Sequence, residues 1–249
     1  MNDGVLLQRL WEGFGRLQAL LGGHAGPGAV IEQPGLIASV VPSAPDSPTL
    51  NAVVALDPDR APEHLEELRA RYESAKVRRW GVWLDSHASQ AREALAQAGM
   101  VVTAASPGMG AALHDLDTRD DEDATPADLT TVGQVNDLAY GNYDGRLERT
   151  LAPLPNGILH AYRVDHHGKP AAVALALHHN QDCGISFVAT VPKARRKGLA
   201  RQVMRQALHE AQLEGCTTTT LQATEVGEKL YVNLGYRHLC VMQLWERRG

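Results

Sequence analysis

Apolar positions near the start of the chain follow a helical period. They are Leu6, Leu7, Leu10, Trp11, Phe14, Leu17, Leu20 and Leu21. This spacing predicts an amphipathic helix that ends at Gly22 and Gly23. A Leu-rich helix of this kind either covers a sheet or lies on a membrane, and packing in a core is the commoner arrangement. The Gly- and Pro-rich stretch over 22–48 is predicted to be loop, apart from a short strand over 35–41.

From residue 50 the apolar pattern alternates between strand and helix spacing. The predicted elements are a strand over 51–56, a helix over 61–75, a strand over 77–84, a helix over 88–98, and strands over 100–104 and 110–113. Such alternation indicates an α/β unit. The acidic, polar run over 117–126 has the composition of a solvated linker. We therefore predict a domain over 1–117, a linker over 118–126 and a second domain over 127–249.

The second half begins with predicted helices over 127–140 and 146–151. Strand-like runs over 157–164, 171–178 and 184–191 follow, with turn residues between them, and together they predict an antiparallel meander. The pattern continues with a helix over 197–214, a strand over 217–222, a helix over 225–234 and strands over 236–240 and 243–245. The predicted fold class is α/β (α+β), with a mixed, mostly antiparallel sheet flanked by helices in each half.

Composition narrows the class of protein. Apolar residues make up 44% of the 249 residues and charged residues 21%, which is typical of a globular chain. The formal net charge of −5 argues against nucleic acid as a partner, because binding to phosphate backbones requires a basic surface. The start of the chain does not read as a signal peptide, and no apolar run reaches the length of a membrane span.

The spacing of the cysteines and histidines does not predict a metal centre. The cysteines, Cys183, Cys216 and Cys240, are scattered without C-x-x-C spacing, so neither a disulfide framework nor a zinc site is expected, and a cytoplasmic location fits. The pairs at 166–167 and 178–179 place adjacent histidines on opposite strand faces, without Cys or carboxylate companions at ligand spacing. We therefore predict turn and surface roles for these histidines and no bound metal.

The candidate chemistry lies in the strand-to-helix turn over 188–200. Gly198 and Ala200 lack bulk where a ligand must approach the backbone, and unpaired N–H groups at a helix N-terminus attract anions. Positive charge is concentrated there, at Lys193, Arg195, Arg196 and Lys197. The turn therefore predicts a phosphate site, whereas the simpler alternative is a helix start with a solvated basic face. A nucleic-acid patch is disfavoured because no aromatic residues are interleaved.

Two separated motifs carry a family resemblance. They are Pro192-x-x-Arg195-x-x-Gly198-x-Ala200 and Leu230-Tyr231-x-x-Leu234-Gly235-Tyr236. With these motifs the chain resembles the GNAT superfamily of acyl-CoA-dependent N-acetyltransferases from about residue 127 to its end. The resemblance implies acetyl-CoA as co-substrate and no metal. It implies cofactor contacts, many of them through the backbone, by Val188, Ala189, Thr190, Arg195, Arg196, Lys197, Gly198, Leu199 and Ala200.

The same resemblance implies catalytic roles. The N–H of Val188 would polarise the acetyl carbonyl, and Tyr231 would protonate the leaving thiolate, although Tyr231 can equally be a packing residue. A base must deprotonate the amine, and many members of the superfamily carry a Glu on the strand before the turn. The run over 184–191 has no carboxylate, so Glu225 is taken as the first candidate for the base, beside Asp182, Asp144 and His160. Thr224 stands where members often have an Asn that contacts the cofactor, which puts that contact in doubt.

A short internal match suggests two tandem GNAT-like domains. The segment 84–99 aligns with 221–235, both reading as strand end, helix and a closing Gly. Leu95 stands where Tyr231 would align, and 56–62 has no glycine to hold a phosphate, so the N-terminal copy is predicted to be degenerate and to shape the acceptor cleft.

The predicted function is transfer of an acetyl group from acetyl-CoA to a primary amine of an unidentified acceptor, a small molecule or a peptide. The alternative is a non-catalytic acyl-CoA-binding sensor or interaction module. Whether the chain forms a homodimer is left open.

Overall fold

The computed structural model describes residues 2–23, 29–155 and 157–247. The helices are α1 (Asp3–Gly23), α2 (Leu65–Ser74), α3 (Ser89–Gln97), α4 (Leu129–Tyr140), α5 (Arg146–Leu151), α6 (Leu199–Leu213) and α7 (Glu228–Leu234). The strands are β1 (Val30–Gln33), β2 (Leu36–Ser39), β3 (Ala52–Ala55), β4 (Gly81–Asp85), β5 (Met100–Ala112), β6 (Ala124–Pro126), β7 (Leu159–His166), β8 (Lys169–His179), β9 (Asp182–Thr190), β10 (Thr218–Gln222) and β11 (Arg237–Arg247). Part of the predicted loop, 24–28, lies outside the described residues.

The chain divides into two compact units, each built from two segments. Unit 1 comprises Met1–Gly13 and Met109–His238, and unit 2 comprises Phe14–Gly108 and Leu239–Gly249. Each unit thus takes a short segment from the far end of the chain. This division differs from the predicted linear one, with its linker over 118–126, and that prediction of two successive domains stays a prediction.

The sheet of unit 1 has the strand order β10-β9-β8-β7-β6. Strands β7, β8 and β9 form the predicted antiparallel meander, whereas β10 pairs with β9 in parallel. The turn between β7 and β8 has His167 at φ 54° and Gly168 at φ 72°, and the next turn has Asn180 at φ 50° and Gln181 at φ 61°. Two successive residues with positive φ match the right-handed twist of the flanking strands, which explains why these short turns close hairpins.

Helix α6 packs its apolar stripe into the core of unit 1. Its buried residues include Val203, Met204, Ala207, Leu208 and Ala211, which recur at helical spacing. They pack with the small residues of β8, among which Ala172, Ala174 and Ala176 are fully buried. Because these side chains are short, the helix axis can lie close to the sheet.

The acidic segment after β5 is structured. Residues Ala124–Pro126 form the edge strand β6, paired with β7, and Ala124 is buried in the core. Upstream, Asp117 bonds to Arg119 and Arg205. This differs from the solvated chain expected there, because the sequence run carries no sign of the long-range partners that order it.

Unit 2 has the strand order β1-β2-β3-β4-β11. Strands β1, β2 and β3 are antiparallel, and β4 then pairs with β3 in parallel after α2. Helix α3 follows β4, so the order of elements is the same as in β7 to α7 of unit 1. The tandem prediction requires this shared order, and duplication of one domain stays a prediction. Strand β1 was missed by the sequence analysis, which assigned its residues to loop.

Two predicted pairs of strands are single strands in the structure. The runs 100–104 and 110–113 fall within β5, apart from residue 113, and the runs 236–240 and 243–245 fall within β11, apart from residue 236. Thr103 donates a hydrogen bond to Glu246 and so links the two strands within unit 2. Long-range pairing therefore joins runs that the sequence pattern had separated.

Helix α1 is confirmed as a core element, because Leu6, Leu10, Leu17 and Leu21 are buried. Within the described ranges no helix combines the length and apolar character that a bilayer crossing requires.

Candidate functional site

Strand β9 carries a β-bulge just before its end. Ala189 pairs with Val173 and Ser186 pairs with Leu175, so Phe187 and Val188 both face Ala174. Phe187 has φ 51°, a conformation that few non-glycine residues adopt. A bulge re-aims the neighbouring backbone groups and frees them from one-to-one pairing. The bulge thus falls beside Val188, the residue whose N–H the sequence analysis assigned to the acetyl carbonyl.

Beyond the bulge, β9 and β10 no longer pair. Their parallel register runs from Asp182 opposite Thr218 to Ile185 opposite Leu221. The last residues of β9, through Thr190, keep partners on β8 alone within the described pairing. Because the strands are parallel, their carboxyl ends open at the same edge of the sheet, where α/β proteins commonly bind ligands.

The turn after β9 begins with a short 3-10 helix, Pro192–Ala194, and then enters α6. Arg196 has φ 61° and Gly198 has φ 83°, so two left-handed residues bend the chain within three positions. An added Cβ at Gly198 would meet no atom within 4 Å, so the backbone there borders open space. Glycine serves this position for its backbone conformation and leaves room for a ligand to approach.

Successive backbone N–H groups in this turn are unpaired. Within the described residues, those of Arg196, Lys197, Gly198, Leu199 and Ala200 have no hydrogen-bond acceptor. The pairing resumes with Arg201 and Gln202, whose N–H groups bond to the Gly198 carbonyl. Open amides at the first turn of a helix, with the positive end of the helix dipole behind them, are a suitable site for an anion.

The side chain of Arg195 forms hydrogen bonds with the protein backbone. Its guanidinium donates to the Thr190 carbonyl at 3.2 Å and to the Ala139 carbonyl at 2.7 Å, near the end of α4. Its own N–H reaches Pro192 at 3.4 Å. The side chain therefore holds the turn against α4, and the cofactor contact expected of Arg195 stays a prediction.

The other predicted cofactor residues fall into two groups. Ala189 and Leu199 are buried in the core, so only their backbone can face a ligand. The side chains of Arg196 and Lys197 are exposed and supply positive charge at the turn. The structure therefore brings the predicted residues to one edge of unit 1, with backbone and side chains in different roles.

Tyr231, on α7, is buried, with 7% of its surface exposed. Its ring packs edge-on against Tyr236, with centroids 5.9 Å apart. Burial raises the pKa of its phenol, and the nearby Tyr140 raises it further. Its hydroxyl has no hydrogen-bond partner in the part of the chain that the structure describes, so its proton is not held by another protein group.

Three of the four base candidates are engaged elsewhere. Asp182 is buried at the first residue of β9 and accepts hydrogen bonds from Thr218 and Thr220, about 17 Å of strand from the bulge. Asp144 pairs with Arg146, which lowers the pKa of its carboxyl and makes it a weaker base.

The third candidate, His160, stacks its ring on that of His178 near the C-terminal end of α6. The 196–200 turn lies at the N-terminal end of that helix.

Glu225 follows β10 in the turn before α7, and its side chain is exposed. Because β10 and β9 are parallel, this turn lies at the same sheet edge as the 196–200 amides. Thr224 accepts a hydrogen bond from the N–H of Gly227 through its hydroxyl and so closes the turn before α7. Its side chain is thus used locally at the position where the resemblance implied a cofactor contact.

Sequence reasoning missed two features of this edge. Phe187, with its positive φ in mid-strand, carries no sequence signal for a bulge. Tyr140, the last residue of α4, lies near enough to Arg195 and Tyr231 for their charges to influence one another, and burial raises its pKa. A signal for Tyr140 did exist in the Gly141 that follows, which ends α4 at φ 74°.

The equivalent turn of unit 2 has a different form. After β3 the chain passes Asp57 and enters a 3-10 helix, Pro58–His64, that contains two prolines. Proline has no N–H to offer, and the acidic side chains there would repel a phosphate. Leu95, aligned with Tyr231, is fully buried on α3. These features agree with the predicted absence of a phosphate cradle in the N-terminal copy, which stays a prediction.

Comparison with known proteins finds a matching family model and similar solved structures. The model of the acetyltransferase (GNAT) family matches residues 128–236. A GCN5-related N-acetyltransferase from Kribbella flavida has a similar structure, with a TM-score of 0.67, 20% identity, and coverage of 94% of this chain and 95% of that chain. A GCN5-related N-acetyltransferase from Sphaerobacter thermophilus has a TM-score of 0.56 and 15% identity, over 86% of this chain and 78% of that chain.

At these identities the structural likeness shows the fold alone, and the likeness to the family rests on the sequence match over 128–236. No curated protein sequence matched the chain. Over residues 128–236, the chain is thus similar in sequence to the acetyltransferase (GNAT) family.

Proposed function

We propose that unit 1 transfers an acetyl group from acetyl-CoA to a primary amine of a small-molecule or peptide acceptor. The observation that carries the proposal is the row of open backbone amides over 196–200, beside the end of β9 that has separated from β10. These amides offer a diphosphate several N–H donors at once, and the separated strand end leaves room for an extended arm.

The charges of the turn support an anionic co-substrate. Arg196 and Lys197 are exposed and stand out in a chain whose formal net charge is −5. Cations at a helix N-terminus are unfavourable without an anion, because the helix dipole places partial positive charge there. A bound pyrophosphate would remove that repulsion and accept from the open amides.

The chemistry needs a carbonyl polariser and a proton donor. The amine nitrogen attacks the thioester carbon, the carbon–sulfur bond breaks, and the departing thiolate takes a proton. We assign the N–H of Val188, next to the bulge, to the carbonyl oxygen and the phenol of Tyr231 to the thiolate. Burial raises the pKa of Tyr231, so the phenol keeps its proton near neutral pH and acts as a donor.

The amine must lose a proton before or during attack. The residues of β9 beyond Ile185 carry no carboxylate. Glu225, exposed at the same sheet edge, is our candidate base, directly or through water. Its role is separable from cofactor binding, because it belongs to a different turn from the open amides.

The proposal is tested by calorimetry with coenzyme A and acetyl-CoA on Gly198→Asp. Gly215→Asp is the matched control, because Gly198 (φ 83°) and Gly215 (φ 86°) stand at opposite ends of α6 and neither has an atom near an added Cβ. Both variants carry the same backbone strain and the same charge. Gly198→Asp should weaken binding roughly hundredfold through like-charge repulsion, whereas Gly215→Asp should not. Equal affinities in the two variants would remove the turn from cofactor binding.

Turnover separates an enzyme from a sensor. Thiol release from acetyl-CoA is followed with a panel of primary amines of varied size and charge. Release that depends on one amine class supports acetyl transfer. Tight acetyl-CoA binding without release on any amine supports the alternative, a non-catalytic acyl-CoA-binding module.

A further inference from the structure

A second cluster of chemical groups lies near the other end of α6. His160 on β7 and His178 on β8 stack their rings, with centroids 4.1 Å apart and planes at 19°. Glu214, the residue after α6, places its Oε2 2.8 Å from His178 Nδ1 and 3.6 Å from His160 Nε2. One ligand atom from each residue lies within 4.8 Å of the others, and no other such group occurs in the described residues.

We propose that His160, His178 and Glu214 bind a divalent transition-metal ion of the Zn²⁺ class. Two imidazoles and one carboxylate form a donor set that suits Zn²⁺, with bonds of about 2.0–2.1 Å. Tetrahedral bonds of that length separate neighbouring donors by about 3.4 Å. The observed separations of 2.8 and 3.6 Å bracket this value, so small side-chain shifts would admit the ion.

The environment of the cluster favours an ion over a simple ion pair. The side chain of His178 is 13% exposed and that of His160 is 26% exposed. A bound cation would also satisfy both rings, which otherwise converge on one carboxylate oxygen.

A cavity borders one of the three proposed ligands. His160 also lines a cavity of about 330 Å³, together with Tyr162 and Glu210. Tyr162 donates to Glu210 at 2.9 Å, which orients that carboxylate in the cavity wall. Water in this cavity would complete a four-coordinate site.

The cluster is separate from the proposed acetyl-CoA site. Gly198 precedes the first residue of α6 and Glu214 follows the last, so about 22 Å of helix lies between them. The ion would join β7, β8 and α6 and stabilise the folded state, because the separated ligands of the unfolded chain bind it weakly. The inference therefore goes beyond the proposed transfer reaction and does not depend on it.

This proposal differs from the surface role predicted for the 178–179 pair. That expectation considered neighbours in sequence, whereas the carboxylate companion of His178 lies 36 residues away in the chain. The 166–167 pair lies where β7 ends, with His167 in the turn that follows. Its rings are 4.0 Å apart, and it supplies a matched control without a third ligand.

The test uses the full chain after treatment with a chelator. Zn²⁺ is titrated by calorimetry, thermal unfolding is measured with and without Zn²⁺, and Co²⁺ is added as a spectroscopic probe. We expect binding of a single ion, a higher melting temperature and the visible absorption of tetrahedral Co²⁺. His160→Ala and Glu214→Gln should each weaken binding at least about tenfold, whereas His166→Ala should leave it unchanged.

Two results would overturn the proposal. One is the absence of Zn²⁺ binding by the unmodified chain, which no folding defect of a variant can explain. The other is binding that survives in both His160→Ala and Glu214→Gln, or that falls equally in His166→Ala. Circular dichroism of each variant identifies any that fail to fold, and the Co²⁺ spectrum of the unmodified chain then decides the outcome.

Discussion

The guanidinium of Arg195 donates a hydrogen bond of 2.7 Å to the main-chain carbonyl of Ala139, near the end of α4. Carbonyls at a helix C-terminus lack partners within the helix and carry partial negative charge, so a cation bonds well there. The same guanidinium reaches the Thr190 carbonyl at 3.2 Å. One side chain therefore fixes the turn that presents the open amides relative to both α4 and β9.

Arg195→Ala is expected to lower stability and cofactor affinity together. Loss of its two bonds to backbone carbonyls should reduce the free energy of unfolding by about 1–2 kcal/mol. Arg196→Ala is the control, because Arg196 is exposed and its side chain makes no hydrogen bond within the described residues. It should change stability by less than about 0.5 kcal/mol and weaken coenzyme A binding in a salt-dependent way. Urea unfolding and calorimetry check both, and unchanged stability in Arg195→Ala would contradict the positioning role.

Tyr231→Phe should lower kcat and spare stability, whereas Tyr236→Phe should lower stability. The Tyr236 hydroxyl bonds to Thr219 at 2.8 Å in the core, so its removal should cost about 1 kcal/mol of stability. The Tyr231 hydroxyl has no partner in the described part of the chain, so Tyr231→Phe should leave stability and coenzyme A affinity nearly unchanged while lowering kcat. The kcat is measured by steady-state kinetics with an amine that supports thiol release. An undiminished kcat in Tyr231→Phe would assign this residue to packing.

Asp128 links stability to pH through the start of α4. Its carboxylate accepts from the N–H of Thr131 at 2.6 Å, and this bond lowers the pKa of Asp128. A lowered folded-state pKa contributes stability above the unfolded value, and that contribution is lost as pH falls through the folded value. Asp128→Ala should therefore cost about 1 kcal/mol near neutral pH, and the difference should shrink below about pH 4.

Asp128→Asn is the control for this prediction. The Asn side chain keeps the cap but has no charge to titrate, so stability should fall much less than in Asp128→Ala. Unfolding by urea at several pH values measures both variants. A difference between Asp128→Ala and the unmodified chain that stays constant down to low pH would show that the carboxylate charge plays no part.

The three cysteines should react slowly in the folded protein. All three are buried, and burial raises the pKa of Cys216 to about 11 and that of Cys240 to about 12. The thiolate is the reactive form, so an aromatic disulfide reagent should label the native chain slowly and the unfolded chain rapidly. Absorbance with and without denaturant measures this. Fast labelling of the native chain would contradict the burial of the cysteines. Slow labelling would make the same reagent suitable for detecting coenzyme A released in the transfer assay.

The sequence was sufficient where structure depends on neighbours along the chain. The helical period of α6, the left-handed Gly198 before it and the hairpin turns at 167–168 and 180–181 all follow from local backbone preferences and side-chain spacing. The open amides were predictable for the same reason, since a helix start leaves its first N–H groups unpaired whatever surrounds it. The antiparallel meander followed from its alternating runs and their turns.

Tertiary structure alone decided features that join distant parts of the chain. The bulge at Phe187 depends on register against β8, and the Arg195 side chain meets a carbonyl 56 residues away. The continuous strands β5 and β11, the order in β6 and the cluster of His160, His178 and Glu214 likewise need partners from other elements. The physical reason is that pairing and packing energies are comparable to local preferences, so a long-range contact can override a turn signal or give a side chain a new role.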